Sequence, residues 1–448
     1  MIVRDVRRLA LFIGPAIAIL YLCWKFFLGG QAVFSPDAGP DPARKGDSSP
    51  PDDQQSTTLS THHEIFSAST PNGSYFRITF GASSSSSSSS DAAINPNIIP
   101  HPLHDDAWVV VAQRRRDPAG PTVSSELVCY AAFVSDDELR CSDPPWTLPV
   151  APTTGIACDG DLAVLAMNVG PHDARVFLGP SSSSSFIVYG SNSQFSCFGQ
   201  WIHDFGRSLM GWVTADDGDV RPVFAEGTEM QRPSGATYGR LEKNWFVFWD
   251  SSGGMYVHHG VSPRRSFARL EADGSAGEDL APLAAGNDDG CLARYMPAVE
   301  PESESIHQAT NSLSVTMCRR SDPSCLPDAS NTFLFTVFQH KSHRDLRSVY
   351  EPYVMVFGQD PPFQIHAISQ KPIWFHGRGG GTSTGNGEKV QREMFYVVSM
   401  SWKMRNQRYH GYLDDVLFIA FGIEDKDAAG IDVVAGDLLA GLGLCSDS

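Results

Sequence analysis

The sequence predicts an all-β domain behind a single N-terminal transmembrane helix. Three observations lead there. Beyond residue 62, short apolar runs alternate with clusters of Gly, Pro, Asp and Ser, the pattern of many short strands joined by turns. The same region has no long stretch of helical amphipathic spacing. Residues 9–24 are uncharged, residues 26–28 extend the run past Lys25, and Arg4, Arg7 and Arg8 precede it.

That run is near the lower length limit for crossing a bilayer, and Lys25 can snorkel. The positive-inside rule puts residues 1–8 in the cytosol and the bulk of the chain across the membrane. No small-x-small cleavage site follows Trp24, so residues 9–28 are read as a signal-anchor rather than a cleaved signal peptide. Residues 29–61 are rich in Pro, Asp, Ser, Gly and Gln and read as a disordered stem. A cytosolic tail, one span, a stem and a lumenal domain over 62–448 is the layout of many type II Golgi glycosyltransferases, and anchored hydrolases share it.

Within the domain, Asn72-Gly73-Ser74 is a turn signal and a glycosylation sequon ahead of a first strand over 75–80. Further strand-like runs occupy 108–112, 162–167, 186–189, 245–249, 313–317, 333–338, 353–357, 395–400 and 416–421. They continue without an obvious linker, which a β-propeller accommodates in one domain better than a sandwich. No strict blade repeat is present. Serine tracts at 83–90 and 181–185 read as disordered loops.

The formal net charge of −17 disfavours nucleic acid, whose phosphates need clustered Lys and Arg. Of nine cysteines, Cys23 lies in the anchor and eight are scattered through the domain without a CxxC pair, which speaks against a zinc site. In an oxidising lumen Cys129–Cys141 and Cys318–Cys325 are the local disulfide candidates, and the remaining connectivity stays open.

Four stretches carry candidate chemistry. Gly170-Pro171-His172-Asp173-Ala174-Arg175 is read as a loop between strands, with Asp173 and Arg175 two residues apart and so on one side of an extended segment. A carboxylate beside a fixed cation suits holding a sugar hydroxyl or moving a proton; a surface Asp–Arg pair in a turn has the same local pattern. Residues 199–207 bring Trp201, His203, Asp204 and Arg207 together, an aromatic face with charged groups of the kind that grips sugars, or an ordinary sheet edge. Lys243 and Asn244 open the aromatic run 245–249, where a lysine can hold a phosphate or sugar oxygen or stand solvated. His410 leads a segment that ends in Glu424 and Asp425. The prolines of residues 95–102 suggest a rigid loop at a strand entrance. No His/Asp cluster at metal-ligand spacing stands out, so no metal or cofactor is expected.

Taken in order, Gly170-Pro171-His172-Asp173-Ala174-Arg175, Lys243-Asn244-Trp245 and Gly422-Ile423-Glu424-Asp425 resemble motifs of the five-bladed β-propeller family of β-mannoside phosphorylases and mannosidases, with the related fungal β-1,2-mannosyltransferases. The resemblance covers roughly residues 95–440. It implies five blades, Asp173 as acid/base, and Arg175, Lys243 and Asp425 lining the sugar or phosphate site. His172 and Ala174 stand where the family usually has glutamate and proline.

The resulting expectation is a membrane-anchored, lumenal glycosyltransferase that moves a mannosyl group from an activated nucleotide-sugar donor to a glycan acceptor. Asp173 is its catalytic residue, and Arg175, Lys243, Asn244, Asp204, His410 and Asp425 are its substrate contacts. Fixed cations stabilising phosphate charge are the physical reason for Arg175 and Lys243. The alternatives are a hydrolase or phosphorylase on the same scaffold, and a glycan-binding propeller without catalysis.

Overall fold

The computed structural model describes residues 61–445, except 82–92, 116–122, 156–157, 167–168, 213–220, 345–346 and 380–392. The anchor at 9–28, all but the last residue of the stem, and the serine tract at 83–90 lie outside the described residues. Among the described residues no helix is long and apolar enough to cross a membrane.

The described chain is nearly all β. In chain order the strands are β1 (His63–Ile65), β2 (Phe76–Thr79), β3 (Ala93–Pro100), β4 (Trp108–Arg114), β5 (Glu126–Ser135), β6 (Glu138–Cys141), β7 (Trp146–Thr147), β8 (His172–Leu178), β9 (Ser185–Asn192), β10 (Phe198–Asp204), β11 (Thr228–Glu229) and β12 (Phe246–Trp249). They continue as β13 (Met255–Gly260), β14 (Ser266–Arg269), β15 (Glu304–Gln308), β16 (Leu313–Thr316), β17 (Thr332–Arg344), β18 (Arg347–Gly358), β19 (Ile365–Ser369), β20 (Ile373–Phe375), β21 (Phe395–Trp402), β22 (His410–Tyr412), β23 (Val416–Ile423), β24 (Asp427–Val434) and β25 (Leu442–Leu444). Eight of the predicted runs fall in β4, β9, β12, β16, β17, β18, β21 and β23.

Successive antiparallel strands form most of the sheets. β8 to β11 make one sheet of four and β12 to β14 one of three. β16 to β19 form the body of a seven-stranded sheet, with β15 also on β17, β22 on β16 and β25 on β19. The pairing does not give one separate sheet per blade. β2 pairs antiparallel with β24 and parallel with β6, so early strands (β2 to β7) and late strands (β21, β23 and β24) join in one nine-stranded sheet. Both edges of β2 are thereby hydrogen-bonded, which removes an open strand edge.

Four expectations are corrected. The run 162–167 is not a strand: Gly160–Leu162 is a 3-10 turn and α1 (Ala163–Ala166) follows, with none of these residues buried. The prolines of 95–102 do not make a loop either, because residues through Pro100 belong to β3, which a bulge between Ile94 and Asn97 bends. Third, a long helix is present, α2 (Ala281–Tyr295). Its buried stripe is Ala281, Ala284, Asp288 and Cys291, at helical spacing but built of small and charged residues that hydropathy does not register. Asp288 pairs with the buried Arg265 at 2.8 Å, and Cys291 is bonded to Cys445. Finally, the tract at 181–185 is the turn of the β8–β9 hairpin, with Ser184 N–H donating to Ser181 O at 3.1 Å and Ser185 opening β9.

The disulfides are Cys129–Cys141 and Cys318–Cys325, both expected, with Cys158–Cys197 and Cys291–Cys445. Four disulfides fit a secreted or lumenal domain, because such bonds persist in oxidising compartments.

Buried carboxamides connect segments of different sheets. Asn97 Nδ2 donates to Ala174 O (2.9 Å) and Val176 N–H donates to Asn97 Oδ1 (2.9 Å). Asn311 does the same with Met400 O and N–H, at 3.0 Å each, and Gln339 with Val397. Each side chain offers one donor and one acceptor, as a peptide group does. It pairs backbone groups that would otherwise be buried without partners.

Candidate active site

Asp173 is set by the backbone on either side of it. A Cβ on Gly170 (φ 105°) would lie 2.1 Å from Ser124 O, so only glycine fits where the chain turns into β8. A bulge then falls between His172 and Arg175 in the pairing with β9, and Asp173 takes φ 50°. The bulge breaks the simple alternation, so the two side chains do not share one exposed face. Asp173 lines a cavity of about 210 Å³, while Arg175, 2% exposed, lies buried beside it. Asp173 N–H donates to Gln113 Oε1 (3.2 Å), Arg175 Nη1 donates to Asp173 O (3.2 Å), and Asn95 Nδ2 donates to Asp173 Oδ1 (3.4 Å).

Arg175 spends its remaining donors on the protein. Nε donates to Ala309 O (2.6 Å) and Nη2 to Asn244 Oδ1 (2.9 Å). It ties β8 to the chain ahead of β12 and to the segment after β15, and so fixes both Asp173 and Asn244.

Asp425 reaches the same cavity from the β23–β24 turn, also at positive φ (50°). With Asn95 (54°) and Asn244 (61°), four lining residues hold the left-handed conformation. Asp and Asn tolerate it better than other side chains, and such strain gathers at functional sites. Burial raises the Asp425 pKa above the usual range, helped by the charges of Asp173 and Glu424. A proton therefore stays longer on Asp425 than on an ordinary aspartate.

The other wall is cationic. Lys243 and Lys341 both line the cavity, and burial together with Lys243 lowers the Lys341 pKa. His307, between Asn244 (3.4 Å) and Ser305 (2.8 Å), is pushed down to about 4 by burial, Lys341, Lys243 and Arg175, so it is neutral at physiological pH. Tyr350 and Tyr396 complete the lining, ring centroids 5.0 Å apart, and burial raises both phenol pKa values. A second cavity of about 310 Å³ shares Lys243, Asn244 and His307 with the first.

Behind Asp173 sits Glu126 on β5, opposite Gln113 of β4 and 0% exposed. Among the described residues, neither of its carboxyl oxygens makes a hydrogen bond of full geometry. Burial, then the charge of Asp173, pushes its pKa up to about 8, only partly offset by the Ala174 N–H.

The structure thus brings Asp173, Lys243, Asn244 and Asp425 together around one cavity, with Arg175 buried behind them. Asp204 and His410 are elsewhere. Asp204 is 2% exposed and accepts the N–H groups of Arg207 (2.9 Å) and Ser208 (2.7 Å), capping the short helical turn Phe205–Leu209. His410 lies between Ser314 (3.1 Å) and Thr316 (3.3 Å), on a different cavity. His307, Lys341 and Tyr396 escaped the sequence reading. Lys341 is on the extension of β17 beyond its apolar run, where the alternation Gln339-His340-Lys341 is the only signal. Among the described residues no group of three His, Cys, Asp or Glu is arranged to hold a metal.

No family model matches the chain, and no curated protein does. Among solved structures it is similar to a putative glycoside hydrolase from Bacteroides ovatus (11% identity, TM-score 0.39, covering 78% of this chain and 88% of that one). It is also similar to a β-1,2-mannobiose phosphorylase from Listeria innocua in complex with β-1,2-mannobiose (10%, 0.41, 78% and 91%). A third is an N-acetylgalactosamine deacetylase from F. plautii in complex with blood group B trisaccharide (9%, 0.41, 82% and 94%). The chemistry of the cavity rests on its own residues and not on these likenesses.

Proposed function

We propose that this protein is a carbohydrate-active enzyme that cleaves glycosidic bonds, by hydrolysis or phosphorolysis, on a five-bladed propeller. The observation that carries the reading is the convergence of Asp173 and Asp425, from two different sheets, on one cavity also lined by Lys243, Lys341 and neutral His307. Two carboxyl groups at one site are the usual equipment for glycoside cleavage. Asp425, whose pKa is raised, is the proton donor to the leaving oxygen. Asp173, held by Gln113, Asn95 and Arg175, is the oriented carboxylate. The lysines face the side where a phosphate, or a sugar oxygen carrying negative charge, would sit. Arg175 acts as a positioning residue and not as the donor-phosphate contact expected from the sequence.

The cavity of about 210 Å³ is smaller than the ~300–1,000 Å³ of pockets for drug-sized ligands, so its deep part suits one sugar ring. A larger ligand would extend from it toward the adjoining cavity of about 310 Å³. The motif resemblance makes β-mannosides the first substrates to try. The anchor at 9–28, a lumenal orientation and a Golgi location complete the proposal; the disulfides support the oxidising compartment.

Incubation with a panel of mannosides, with and without inorganic phosphate, tests the reading. Free sugar signifies hydrolysis, and sugar phosphate formed only when phosphate is supplied signifies phosphorolysis. Asp173→Asn and Asp425→Asn each lower turnover about 10²–10⁴-fold, the range for loss of acid–base assistance. Saturable glycan binding that survives Asp173→Asn, with no turnover in either protein, would leave a binding propeller instead. Transfer from a nucleotide sugar would restore the transferase.

A further inference from the structure

The strands that start at the candidate site finish at a second opening. From Asp173 to Leu178 along β8 is ~17 Å at about 3.3 Å per residue. Two cavities lie at that far end and share Arg408. One, about 600 Å³, includes Asp250, Ser314 and His410. The other, about 100 Å³, includes Arg207, Arg405 and Arg408 with Ser182 and Ser183.

Three guanidinium groups around one small cavity are unexpected in a chain of net charge −17. Arg405 pairs with the exposed Asp105 at 2.6 Å. Arg207 lines the cavity but is already engaged within the protein. Arg408 is half-buried, and its hydrogen bonds are to two neutral carbonyls, Gly179 O and Ser184 O. Among the described residues no carboxylate forms an ion pair with it. Burial alone lowers its pKa, to about 10. Taking a charge out of water with no opposite charge beside it is costly. A turn could be tied down by neutral donors, so an obligate cation here is better explained by an anionic guest. Guanidinium groups match tetrahedral oxyanions with paired N–H donors, and serine hydroxyls supply further ones.

We propose that the cleft formed by Arg207, Arg405 and Arg408 is a second ligand site that binds a phosphate or sulfate group, with the adjoining 600 Å³ cavity receiving the molecule that carries it. The site is independent of the glycosidic chemistry at the other end. It also gives the serine tract at 181–185 a role, since that turn supplies one rim.

Sulfate is the first probe, titrated into the full-length protein at constant ionic strength and followed by calorimetry. Saturable binding is expected in the wild type, weakened about tenfold or more in Arg408→Gln and severalfold in Arg405→Gln. The latter removes a surface side chain and guards against a misfolded Arg408 variant. Because the proposed phosphorolysis would also place an anion beside Lys243, the titrations are repeated in Lys243→Gln, where the Arg408-dependent binding is expected to persist. Equal affinity in wild type, Arg408→Gln and Arg405→Gln would overturn the proposal. So would loss of binding in Lys243→Gln, which would place the anion in the other cavity, or a response that chloride reproduces. Co-sedimentation with phosphatidic acid vesicles, against phosphatidylcholine vesicles, then separates a lipid-borne phosphate from a soluble one. Arg408-dependent binding in either form supports the site.

Discussion

Glu126→Gln isolates the proton that the structure assigns to the buried carboxyl behind Asp173. Below pH 4.5, the ordinary value for Glu126, the carboxyl is protonated in folded and unfolded chains alike, and stability is unaffected by its ionisation. As pH rises toward about 8, the unfolded chain releases the proton and the folded chain keeps it. Stability then falls by about 1.4 kcal/mol per pH unit. Above about 8 both states are ionised and the penalty levels off. Between pH 5 and pH 7 the wild type therefore loses roughly 3 kcal/mol that Glu126→Gln does not lose. Urea unfolding of the disulfide-intact protein measures this. With m of about 3 kcal/mol/M, the wild-type midpoint moves ~1 M relative to the variant over that interval. Midpoints that run parallel from pH 5 to pH 7 would show that Glu126 is ionised in the folded state, and would remove the reason for treating Asp173 as backed by a neutral acid.

Three further outcomes are expected from other contacts. A Cβ on Gly422 would lie 2.5 Å from Asn95 Oδ1, so Gly422→Ala displaces the Asn95 amide from Asp173; turnover is expected to fall roughly ten- to a hundredfold with little change in urea midpoint. Asp288→Ala leaves the Arg265 guanidinium buried without its partner, which costs about 3–5 kcal/mol in the same unfolding assay. Asn97→Leu removes the partners of Ala174 O and Val176 N–H and costs about 2–6 kcal/mol, at about 1–3 kcal/mol per unpaired buried group.

Strands that bury both faces were legible because their apolar runs are continuous: β4 opens with Trp-Val-Val-Val-Ala, and all five of those residues are buried. Helix α2 was not, because its buried stripe carries a disulfide cysteine and an ion-paired aspartate in place of leucines. The run at 162–167 misled for the opposite reason, its described residues 162–166 not being buried. At the site, Asp173, Lys243, Asn244 and Asp425 were found through local motifs at strand ends. His307 and Lys341 are brought there by long-range pairing of β15 with β17, which no local pattern encodes. The pairing of Asp173 with Arg175 across one face failed at a bulge, and a one-residue irregularity is invisible to a period-two argument.

The buried carboxamides have a consequence for how this cavity can change. Asn97, Asn311 and Gln339 act as spacers of fixed length, each joining its own segment to a strand of another sheet by the reach of one side chain. The bore between the strands is therefore set by residues outside the cavity lining. Exchanging an asparagine for a glutamine at such a position would lengthen a strut by one methylene without touching a group that meets the substrate. Under the proposed function, the width of the pocket and the identity of its reacting groups are separately adjustable, and variants selected for larger or smaller sugars would be expected to collect at the struts.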